Sequence, residues 1–116
     1  MIYRDDEHSN RFHNQLYQLN QSQQNDVYYL STLYIMTSSE KIFKKVSPYF
    51  DINDGFHAEE MFAHEEFTQE ELILAKLTGH LFNNNYQVTV LDLIELNEDN
   101  YQIAMSAIYI RKYGVN

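Results

Sequence analysis

The chain has 116 residues, 44% of them hydrophobic, and sets 17 acids against 8 bases for a formal charge of −9 with histidine neutral. That size and apolar content suit one domain spanning residues 1–116, and the acid excess argues against direct nucleic-acid binding. Cysteine is absent, which excludes disulfides, thiolate zinc sites and cysteine nucleophiles, and no run approaches the roughly 18 apolar residues of a membrane span.

Three Gly and one Pro leave few breakers, so helices are favoured over strand-rich architectures. Met1 leads into Arg4, Asp5, Asp6 and Glu7 rather than an apolar signal segment, and a cytoplasmic protein is expected. Phe12, Leu16 and Leu19 fall at i, i+4 and i+7 and predict a first helix over Asp6 to Leu19. The polar run Asn20 to Asn25 reads as a connection. Val27 to Met36 is apolar on two adjoining faces, as in a central helix. Thr37 and Glu40 have capping-box spacing ahead of Ile42 and Phe43, and predict a third helix that Pro48 ends near Ser47.

Asp51 to Gly55 reads as a turn. Thr68 and Glu71 form a second capping box, predicting a helix from Gln69 to Phe82 that closes on Asn83, Asn84 and Asn85. Gly79 inside it predicts the close approach of another backbone. Tyr86 to Leu96 reads as irregular with a short helix. Asn97 caps a last helix with Glu98 and Asp99 in its first turn and Arg111 and Lys112 in its last, ahead of Gly114; it is expected to pack beside Val27 to Met36. The expected fold is all-α: a compact single-domain bundle of four or five helices with an acidic loop between the third and fourth. Leu30, Leu33, Leu77, Leu81, Ala104 and Ile108 are its expected core.

The charge is local. Asp51 to Ala75 holds eight acids and no Lys or Arg, while the rest of the chain has nine acids against eight bases. Such a field attracts basic surfaces and repels nucleic acid. The pairs Glu59-Glu60, Glu65-Glu66 and Glu70-Glu71 recur with Phe62 and Phe67 between them, and spaced carboxylates can imitate a row of phosphates. Asp54, Glu59, Glu60, Phe62, Glu65, Glu66, Phe67 and Glu70 are therefore the expected partner-binding residues. Lys41, Lys44, Lys45, Arg111 and Lys112 are expected to complement the acids within the molecule or across a dimer.

No catalytic residue, cofactor or metal is expected. His57, Glu60 and His64 would share one helical face but lack a fourth ligand. A calcium loop centred on Gly55 would need acids where Phe50 and Met61 stand. His8, His13 and His80 have no nucleophilic partner at a recognisable spacing, and acids clustered in one segment do not form the opposed pair of a glycosidase.

The segments "NDVYYLSTLYIMTSSEKIFKKV", "LAKLTGHLFNNN" and "LNEDNYQIAMSAIYIRKY" together resemble an uncharacterised family of small helical proteins from Gram-positive bacteria and their phages, over about Asp6 to Tyr113. The resemblance implies a helical fold and no particular activity, and the acid-rich Glu59 to Glu71 stretch looks particular to this sequence. The leading expectation is a non-enzymatic, phage-encoded interaction protein that binds, and inhibits, a basic nucleic-acid-binding host protein such as a defence nuclease. The second is a homodimeric helical module whose aromatics build a self-interface; a metal-dependent enzyme comes last.

Overall fold

A computed structural model describes residues 2–115. The centre of the molecule is helix α3 (Val27–Met36), because seven consecutive residues from Leu30 to Met36 are buried and both α6 (Gln69–Asn83) and α8 (Glu98–Tyr113) pack on it. A helix wrapped this way must also satisfy its polar side chains. The hydroxyls of Ser31, Thr32 and Thr37 do so by donating to the carbonyls four residues back, those of Val27, Tyr28 and Leu33, at 2.8, 2.8 and 2.6 Å. The radius of gyration is 12.8 Å, close to the ~13 Å of a compact chain of this length.

Helix α1 (Asp6–Leu16) starts on an Asp5 cap and ends earlier than its apolar stripe suggests, though Leu19 is buried beyond it. The connection expected at Asn20 to Asn25 is a single helical turn, α2 (Gln21–Gln24), closed by an Asn20 and Gln23 capping box. Helix α4 (Glu40–Val46) is capped by Ser39, whose Oγ accepts from the Ile42 amide, and not by Thr37. Thr37 ends α3 instead, with its hydroxyl already committed to Leu33.

A 3₁₀ turn over Ser47–Tyr49 accommodates Pro48. The acidic segment expected as a loop carries a two-stranded antiparallel hairpin, β1 (Phe50–Asp51) and β2 (Gly55–Phe56), followed by α5 (Ala58–His64). Asp51 Oδ1 accepts from the Asn53 and Asp54 amides, and Gly55 closes the turn at φ +96°, where a side chain would be strained. α6 opens on the expected Thr68 and Glu71 capping box and closes on Asn84 at φ +63°. A short α7 (Val90–Ile94) and the Asn97-capped α8 complete the chain.

The architecture is thus mostly helical but not purely so. Among the described residues there are eight α-helices rather than four or five, and one small hairpin. None of these helices is long and apolar enough to cross a membrane. Of the expected core, Leu30, Leu33, Leu77 and Ala104 are buried, Leu81 is half-buried and Ile108 is 36% exposed. Ile108 fails because α8 points Ile103, Ala104, Ala107 and Ile110 inward, leaving the neighbour of Ala107 about 100° round the helix.

Candidate functional site

Two anchors hold the acidic segment against the bundle. Phe50 of β1 meets Tyr29 of α3 and Phe82 of α6 edge-on, with ring centroids 5.9 and 5.6 Å apart. Phe62 of α5 packs on Tyr86 at 4.8 Å and on Phe67 at 5.9 Å, and Lys45 lies over the Phe67 ring. The two phenylalanines expected to contact a partner are therefore half-buried and hold α5 in place.

Tyr86 owes its position to Gly79. A Cβ at Gly79 would stand 2.8 Å from Tyr86 Cδ2, inside contact distance, so α6 approaches an aromatic ring here and not the backbone expected from the sequence. His80 Nδ1–H donates to the Tyr86 carbonyl and ties the backbone of the same residue to α6. Together with Phe56, Tyr86 forms the apolar wall of an open cleft of about 750 Å³. Ala58, Glu59, Glu60 and Ala63 of α5, His57 and Asn85 line the remainder.

The eight acids divide by use. Glu71 pairs with Lys45 at 2.7 Å; burial raises its pKa most strongly among single effects, but the bonds from Lys45 and Thr68 together hold it below the usual carboxylate range. Glu70 receives the Asn97 amide at 2.8 Å and the Asn100 side chain at 2.9 Å, and these donors, Asn100 first, lower its pKa. It ties α6 to the start of α8 and is taken up inside the molecule. Glu65 accepts from the Tyr49 hydroxyl at 2.7 Å, which raises the tyrosine's pKa. Asp51, Asp54, Glu59, Glu60 and Glu66 are exposed, and the one ion pair among them joins Asp54 to His57 at 3.0 Å when the imidazole is protonated.

This arrangement offers carboxylates beside aromatic faces, which suits a guanidinium or ammonium with its aliphatic stem. His57 stands outside α5, while His64 Nδ1–H donates to the Glu60 carbonyl. Among the described residues no group of three His, Asp or Glu is placed to hold a metal ion.

A second polar cluster had no signal in the sequence. His8 is fully buried; its Nδ1 accepts from the Arg4 amide, so Nε2 carries the proton donated to the Tyr34 carbonyl at 2.9 Å. Arg11 Nε donates to the Thr37 carbonyl and Arg4 Nε to that of Ser38, each at 2.9 Å. Three side chains from the N-terminal region thereby satisfy the carbonyls that end α3, and burial pushes the His8 imidazole down to about 4. Arg4 and Tyr34 also border a small cleft of about 230 Å³ with Asp99 and Gln102, while His8 and Arg11 do not line it, and the cluster joins α1 to the end of α3.

A model of a family of unknown function, DUF6075, matches residues 1–115. The chain belongs to this family. The match covers all three segments on which the resemblance rests, and DUF6075 has no assigned activity to bring to the cleft. No curated protein and no solved structure matches the chain.

Proposed function

We propose that this member of DUF6075 acts by binding, and that the cleft between α5 and Tyr86 receives Lys or Arg side chains from a basic surface of a partner protein. The observation that carries the reading is the set of exposed carboxylates at Asp51, Asp54, Glu59, Glu60 and Glu66, for which the segment from residue 51 to 75 supplies no Lys or Arg. Exposed like charges contribute little to folding, whereas they raise encounter rates with a basic partner. The finer reading, a phage-borne inhibitor of a nucleic-acid-binding host protein, draws on the same carboxylates in the role of phosphates. With Glu70 and Glu71 engaged internally and Glu65 bonded to Tyr49, one of the three acidic pairs, Glu59-Glu60, is wholly available for that role, together with Glu66. No reacting group is assigned and none is needed.

The test is calorimetric titration with Lys/Arg-rich peptides and with sequence-matched peptides carrying Gln at those positions. The basic peptides bind and the neutral ones do not. Glu59→Gln combined with Glu60→Gln weakens binding on the order of tenfold, and added salt has a comparable effect. Equal binding of both peptide sets would remove the reading.

A further inference from the structure

Helix α8 has a second face that the fold leaves without a partner. Its inward face holds Ile103, Ala104, Ala107 and Ile110. On the outer side Glu98, Gln102, Met105, Tyr109 and Lys112 follow one another in alternating steps of four and three residues, the spacing of a seam between two paired helices. Four of these five are exposed and Met105 is half-buried; Tyr109 is 60% exposed, with the ring of Tyr113, 57% exposed, tilted against it at 4.7 Å. Ile108 flanks the seam, and beside it lies an apolar hollow of about 450 Å³ lined by Ile2, Met105, Tyr109, Ile110 and Val115 among others. Exposed aromatic and aliphatic side chains gathered along one helix mark an interface more than a solvated surface.

The charges at the two ends of the seam identify the occupant. Glu98 stands at its beginning and Lys112 at its end, and Lys112 has no ion pair among the described residues. Two such helices laid antiparallel about Met105 bring each Glu98 opposite Lys112 of the other copy and Met105 opposite itself, with Tyr109 facing the half-buried Tyr101 and Gln102 facing Ile108, two residues that border the seam. A parallel arrangement would place like charges together at both ends. Antiparallel packing also sets the helix dipoles in favourable order, and a two-fold axis makes one patch complementary to itself. The 16-residue helix supplies a seam about 24 Å long at ~1.5 Å per residue.

We propose that α8 is a homodimerisation surface, pairing antiparallel with α8 of a second copy around a two-fold axis at Met105. The surface is separate from the acidic cleft, to which α8 contributes no lining residue. The dimer therefore presents two clefts, and a partner with two basic segments is held more tightly than one segment allows.

Sedimentation equilibrium on the full chain, across micromolar concentrations, tests this directly. The wild-type chain sediments at twice the monomer mass. Tyr109→Glu shifts it to monomer while circular dichroism stays helical. Lys112→Glu and Glu98→Lys each leave two repelling pairs and weaken self-association on the order of tenfold. Mixing these two variants restores dimer as a heterodimer, since the introduced lysine of one copy then faces the introduced glutamate of the other; a fold defect would not be rescued by mixing. A wild-type chain that remains monomeric overturns the proposal. So does a dimer indifferent to Tyr109→Glu and to both charge reversals, because it would have to use another face.

Discussion

The ring of Tyr86 stands where a side chain at position 79 would be, so the fit between Gly79 and Tyr86 can be read energetically. Gly79→Ala adds helix propensity worth about 1 kcal/mol but drives a methyl into a ring atom 2.8 Å away. The substitution should destabilise the wild-type chain and stabilise a Tyr86→Ala background, as a denaturant double-mutant cycle will show. Leu30→Ala should cost about 2–5 kcal/mol and Ile108→Ala at most about 1 kcal/mol, given their burial. His8 gives the pH dependence its sign. Its ordinary pKa of about 6.5 applies in the unfolded chain, which therefore binds the extra proton first as pH falls. Stability should be complete above about pH 6.5, decline as pH falls to about 4, and lose nothing further through His8 below that; thermal melts between pH 7.5 and 4 will show the decline, flattened in His8→Gln. At this scale the caps at Thr68 and Asn97 were legible because they are local patterns of a few residues. His8 was not, since a lone histidine carries no spacing; Arg4 stands four residues before it, but Tyr34, whose carbonyl takes its proton, becomes a neighbour only through packing.

Among the elements, legibility followed length. Helices α3, α6 and α8 have 10, 15 and 16 residues, enough for a stripe or an apolar circumference to show. Capping boxes at Asn20 and Thr89 start α2 and α7; α7, with 5 residues, is the short helix expected within Tyr86 to Leu96, whereas α2, with 4, has too few to display a period. The hairpin escaped for the same reason, each strand having two residues. Thr37 misled because its spacing to Glu40 fits a capping box as well as its actual place ending α3 does. Ser39→Ala should therefore cost α4 about 1 kcal/mol through its cap, measured by chemical denaturation. Phe62 and Phe67 changed meaning at this scale too. Read as partner anchors, they would mainly speed dissociation of a complex when truncated; packed on Tyr86 and Lys45, they should instead lower the melting temperature of the free protein.

For the whole molecule, the sequence located the charge but could not divide it. Eight acids within residues 51–75 were visible by counting and Glu71 by its capping box, yet only the fold shows that Glu70 serves the chain itself and that Glu71 also pairs with Lys45, while Glu59 and Glu60 line an open cleft. The functional account stands on that division. It is tested most directly by adding a Lys/Arg-rich peptide to isotope-labelled protein and following the backbone amide resonances. The account predicts salt-sensitive shifts concentrated at His57, Glu59, Glu60, Ala63, Asn85 and Tyr86, with those of Glu70 and Glu71 little changed. Shifts spread evenly over the surface, or confined to residues outside the cleft, would contradict it.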